Sequence, residues 1–128
     1  MKKILLVILV IIIGILFAKN EYISWRTAAI TTTANYATAT DTEISCKEYI
    51  RKHIHIENTG VTNSMYYSVM GYASKDDTDP TAYVTDVSIA ASDYDDVYIA
   101  NSAFYKMVVR VKNNAGATTC YISVIMSP

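Results

Sequence analysis

His53 and His55 are the only histidines in the chain. They stand two apart in RKHIHIE, so on a strand they point the same way. Such a pair can hold a metal ion if a third ligand lies opposite. No cysteine or carboxylate motif supplies one, so an exposed strand face is the expected reading. Asp76, Asp77 and Asp79 crowd one segment, and Asp93, Asp95 and Asp96 crowd another. Hard oxygen ligands in adjacent loops suit calcium. Neither segment has EF-hand spacing, and Asp is also an ordinary turn former, so Asp76, Asp77 and Asp79 are weak calcium candidates. The chain has no GxSxG elbow, no HExxH and no phosphate-binding Gly loop. No enzyme and no cofactor are expected. No N-x-S/T acceptor for glycosylation occurs.

Two cysteines, Cys46 and Cys120, lie far apart, which excludes a CxxC metal or redox motif. In a secreted protein the expectation is one disulfide between them, closing a loop that stabilises the fold by about 4 kcal/mol in the chain-entropy view. The alternative is two separate buried thiols.

Secretion is suggested by the first 18 residues, MKKILLVILVIIIGILFA. Lys2 and Lys3 form a basic start and Ile4 to Phe17 an apolar run. As a helix that run extends about 21 Å, short of a bilayer core of about 30 Å. A cleaved signal ending at Ala18 is therefore expected. An uncleaved anchor is one alternative. A pilin-like leader, cut beside Lys3 so that the apolar helix becomes an assembly core, is another. Membrane contact is expected only through residues 4–18, and only if they are retained.

Without residues 1–18, 110 residues remain, enough for one domain with a real core. Of the eleven Lys and Arg, nine remain against twelve acidic residues, a net charge of −3. That balance argues against nucleic acid, which needs clustered cations. Tyrosine is abundant, with eleven against two Phe and one Trp. Tyrosine packs on pleated surfaces while keeping a polar tip.

The elements that position these residues read as strands. Residues 27–40, TAAITTTANYATAT, carry no charge, Gly or Pro, and their β-branched content favours extension. Ala28, Ile30, Thr32, Ala34 and Tyr36 would share one face. Ile50, Ile54 and Ile56 alternate with Arg51, His53 and His55, with Lys52 interrupting the apolar side. Residues 64–73 are bulky on both faces. Tyr83, Thr85, Val87 and Ile89 alternate next, and residues 92–96 read as a turn before a short strand at 97–100. Met107, Val109 and Val111 alternate with Lys106, Arg110 and Lys112. Asn113 to Gly116 reads as a hairpin loop, and Cys120, Ile122, Val124 and Met126 share a face of the last strand. The expected fold is all-β, a single antiparallel sandwich of about seven or eight strands behind an N-terminal hydrophobic segment. Its parts are a leader (1–18), an extended β-prone arm (19–42) and the sandwich (43–128).

From residue 55 onward the order of pieces resembles small β-sandwich structural proteins of phage and virus particles or cell-surface filaments. The pieces are IENTGVTNSMYYSVMGYAS (56–74), VSIAASDYDDVYI (87–99) and FYKMVVRVKNNAGATTCYISVIM (104–126). The resemblance implies a structural or attachment role on a surface.

An uncharged edge segment without Pro is open to pairing with another chain. The expected function is therefore a structural subunit of an extracellular filament, sheath or surface layer. It would polymerise with itself as residues 27–40 add to a neighbour's sheet, with Tyr66, Tyr67 and Tyr72 in lateral contacts; the alternative for residues 27–40 is an ordinary first strand of the same sandwich. The alternative is a monomeric secreted adhesion module that takes carbohydrate or another surface ligand through exposed tyrosines and the Asp loops. Either protein is secreted or held at the cell surface.

Overall fold

A computed structural model describes residues 22–46, 49–100 and 104–128. The leader and the first residues of the arm lie outside the described residues. Among the described residues nine strands form two antiparallel sheets. They are β1 (Ile23–Arg26), β2 (Ile30–Thr31), β3 (Thr42–Ser45), β4 (Arg51–Asn58), β5 (Met65–Tyr72), β6 (Thr81–Ile89), β7 (Tyr94–Ile99), β8 (Lys106–Asn113) and β9 (Thr119–Ser127). One sheet has the order β1-β9-β4-β7, with β2 continuing β1 along the same edge of β9. The other has the order β3-β8-β5-β6. With β1 and β2 taken as one broken strand, this is the eight-stranded jelly-roll arrangement.

The alternation in the sequence explains the core. Ile54 and Ile56 of β4, Met107, Val109 and Val111 of β8, and Cys120, Ile122, Val124 and Met126 of β9 are all buried between the sheets. Each large apolar side chain removed from water there contributes about 1.5–3 kcal/mol. Gly71 in β5 leaves room for the Phe104 ring, which a Cβ would strike.

Four expectations need correction. The arm does not stand apart from the sandwich, because β1 and β2 pair with the chain's own β9, Ile23 opposite Met126 and Ile30 opposite Cys120. Asn113 to Gly116 is not a hairpin loop, because it carries the chain from β8 in one sheet to β9 in the other. Turn residues mark a reversal but do not say which strands pair. The turn before β7 ends earlier than expected, and Asp95 and Asp96 are strand residues. Finally, Ile50 is 49% exposed while Lys52 is buried in the position alternation reserved for an apolar residue. Its ammonium donates to the carbonyls of Tyr49 (2.6 Å) and Ile50 (3.2 Å). Burial lowers its pKa, opposed by the nearby Cys46 thiol. The long apolar stem fills the core and the charged head reaches the sheet's end.

Regular alternation also fails in β6. The β5–β6 register shifts between Tyr67 and Met70, and Asp86 takes a left-handed φ of 49° at this bulge. Val84 packs against the core while Tyr83 stays exposed.

Candidate functional site

Two surfaces gather the polar and aromatic side chains. The first is the outer face of the β3-β8-β5-β6 sheet. After β2, Thr32 buries its side chain and donates from both its amide (2.9 Å) and its hydroxyl (3.1 Å) to the Thr118 carbonyl. The Thr118 amide donates back to the Thr32 hydroxyl. The chain then crosses onto this second sheet, where Tyr36 meets groups from three strands. Its hydroxyl donates to Asp86 Oδ1 (2.5 Å) on β6 and shares a hydrogen bond with Ser68 (2.9 Å) on β5. Lys112 and Arg110 of β8 sit over its ring at 4.5 and 5.2 Å. Lys112 also pairs with Asp86 at 2.9 Å. Burial, then the bond to Asp86, pushes the Tyr36 hydroxyl up to about 12. The segment is thus latched over the sheet by one ring.

The second surface is the outer face of β4 and β7. In register, His53 lies opposite Tyr98, His55 opposite Asp96, and Glu57 opposite Tyr94. His53 Nε2 (2.7 Å) and His55 Nδ1 (2.8 Å) both donate to Asp96 Oδ1. An ionised carboxylate only accepts, so each facing ring nitrogen carries a proton. Burial pushes the Asp96 carboxyl up, but the bonds from His53 and His55 outweigh it and hold the pKa below its ordinary value. The Tyr98 ring stacks on His53 at 4.4 Å and 10°, and Tyr94 leans on His55 at 5.0 Å. Tyr94 and Tyr98 are 59% and 69% exposed. A shallow groove of about 230 Å³, lined by Arg51, His53, Tyr98, Ala100, Ile125 and Ser127, continues from Tyr98.

The residues singled out in the sequence fare differently. The histidines do share a face, and the carboxylate opposite them, Asp96, comes from a segment expected to be a turn. Asp95 faces inward, where the buried Tyr67 hydroxyl donates to it at 2.7 Å. Asp93 caps the amide of Tyr94. Asp93, Asp95 and Asp96 therefore serve three separate purposes. In the other loop Asp77 spends its oxygens on the amides of Ala73 and Asp79, while Asp76 and Asp79 are exposed. Among the described residues no three such side chains are arranged to hold a metal ion.

Cys46 and Cys120 are both buried free thiols, not a disulfide. Cys46 lies near Lys52, whose charge partly offsets the burial that raises its thiol pKa. Lys52 pairs with Met126, whereas Cys120 pairs with Asn58 at the other end of β4. Six residues of β9 separate those ends, about 20 Å, too far for a bridge. Burial pushes the Cys120 thiol up to about 12.

Of the arm residues, Ala28 and Ala34 are exposed, Ile30 and Tyr36 are half-buried and Thr32 is buried. Tyr67 is 2% exposed, while Tyr66 and Tyr72 lie half-buried beneath Lys112 and Lys106. None of the three is a free contact residue. Sequence reading missed Tyr94, which fell in the expected turn, and Tyr98, whose place beside His53 depends on the pairing of β7 with β4.

No family model matches the chain, and no curated protein matches it by sequence. Solved structures do match. The chain is similar to a protein of the Bacillus endospore appendages, a family of disulfide-linked pili, with 17% identity over 84% of this chain and 88% of that one and a TM-score of 0.51. It is also similar to PirA, with 17% identity over 79% of this chain and 90% of that one and a TM-score of 0.50. The likeness is one of fold. The resemblance to small β-sandwich structural proteins read from the sequence agrees with it.

Proposed function

We propose that this chain is a non-enzymatic structural subunit of an extracellular assembly, a filament, sheath or surface layer built from copies of itself. The apolar leader, residues 1–18, is removed on export or retained as an anchor or assembly helix. The observation that carries the reading is the edge of β9, occupied by two short strands rather than one continuous strand. Exchange of residues 23–36 between copies would keep every hydrogen bond of the edge and join the copies. The pilus protein with the same fold supports a filament, although the buried thiols here argue against cross-linking through disulfides. Holding the arm on its own domain is the resting alternative to exchange.

The register offers a direct test. Ile30 stands opposite Cys120, and Cα atoms of directly opposed residues sit about 4.5–5.5 Å apart, within disulfide range. Ile30→Cys is expected to form a bridge between chains under oxidation, giving a ladder on a non-reducing gel and filaments by negative stain. A bridge confined to single chains at high protein concentration would sink the exchange.

A further inference from the structure

We infer that the outer face of β4 and β7 is a binding platform for a neutral, extended polysaccharide. This goes beyond the assembly reading; the arm reaches this face at Arg26, which pairs with Glu57 of β4 at 2.7 Å, and leaves Tyr94 and Tyr98 exposed. Tyr94 and Tyr98 are four residues apart on the same side of an edge strand, about 13 Å. That span exceeds a single sugar ring, so the pair suits a chain of several units. Each ring is already held upright by a histidine, Tyr98 on His53 and Tyr94 on His55, so little side-chain freedom is lost on binding. Their other faces are open, and sugar rings present apolar C–H faces to such aromatics. Between them lies Asp96, fixed by His53 and His55. The remaining nitrogens, His53 Nδ1 and His55 Nε2, have no hydrogen-bond partner among the described residues. An acceptor-rich centre between aromatic ends matches hydroxyls between ring faces.

Charge selects the ligand class. Asp96 brings one negative charge, spread over the two imidazole N–H groups that donate to it. Arg51 brings a positive charge at the groove, and Glu57 is paired with Arg26, so the face carries no excess of either sign. A polyanion would meet Asp96, and a polycation would meet Arg51. A second copy of the chain would have to desolvate this polar centre, at a cost that protein interfaces usually avoid in their cores. A sugar replaces the water bonds instead. The groove beyond Tyr98, past Arg51, Ile125 and Ser127, extends the platform in the strand direction.

The test is isothermal titration calorimetry of the full secreted chain with cellohexaose, xylohexaose, chitohexaose and laminarihexaose, with sedimentation velocity on the same samples. At least one sugar is expected to give saturable heat. Tyr94→Ala and Tyr98→Ala should each weaken it at least tenfold, Tyr98→Trp should retain it, and Tyr66→Ala, on the outer face of the other sheet, should leave it unchanged. No saturable heat with any of the four would overturn the inference. So would heat that survives Tyr94→Ala combined with Tyr98→Ala, or a wild-type sedimentation coefficient that drops in those variants, which would mark the face as a contact between copies. None of these outcomes alters the Ile30→Cys ladder, so the two readings fail separately.

Discussion

The outer faces of the two sheets carry similar side chains and put them to different use. On the β5–β8 face, tyrosine, lysine and arginine are consumed internally: Tyr36 lies between Lys112, Arg110 and Asp86, Lys112 also reaches Tyr66, and Lys106 covers Tyr72. On the β4–β7 face the tyrosines stack on histidines and remain open. The difference is the roof. Residues 33–41 cross one face and not the other. A tyrosine-rich composition therefore does not identify a contact surface; what covers each ring does.

The sharpest way to break this contrast is Thr32→Pro. It removes the amide and hydroxyl donors to Thr118 and is expected to cost about 3 kcal/mol or more in urea unfolding. It should also bare the Tyr36 side to proteolysis while leaving the Tyr98 face intact. Cleavage spread evenly over both faces would show that the roof is not a separate unit.

Tyr36→Phe is milder, about 1–2 kcal/mol for the lost hydroxyl bonds, and it carries a pH signature. The folded Tyr36 value of about 12 lies above the usual value of about 10. The stability it contributes is therefore complete below about pH 10 and is lost as pH rises toward 12. Unfolding followed across that range should show a shallower alkaline decline in the variant.

On the open face the effects on stability shrink. Asp96→Asn is expected to cost under about 1 kcal/mol, as for exposed ion pairs. Asp96 has a depressed pKa, so its contribution is present above the ordinary value of about 3.9 and disappears as pH falls through the folded value. Acid titration of the variant should show a flatter decline below about pH 4. Tyr98→Ala should change stability by no more than about 0.5 kcal/mol. A large loss there would mean that Tyr98 supports the fold rather than waiting for a ligand.

Much of this architecture was legible. Period-two alternation in β4, β8 and β9 identifies Ile54, Ile56, Val109, Val111, Ile122 and Val124 as core, because one face of each strand must be apolar. The same rule puts Lys52 on the core side, where its apolar stem lies buried, but misplaces Ile50, which precedes β4 and is exposed. It cannot see the β6 bulge, where a hydrogen bond from the Asp86 amide to Ser68 accompanies the register shift. Nor does it give strand partners, so the arm looked free and Asn113–Gly116 looked like a hairpin. The open site was half legible. His53 and His55 share a face by spacing, but Asp96, Tyr94 and Tyr98 reach them only through long-range pairing of β7 with β4.

The unbridged cysteines give the domain a built-in clock. Cys46 and Cys120 sit near opposite ends of the same core, each closed off from reagents. Alkylation can proceed only while the surrounding strands are apart. The rate at which each thiol is captured thus times the breathing of its own end. Reducing conditions should leave the folded lifetime unchanged, because no covalent tie is there to be cut.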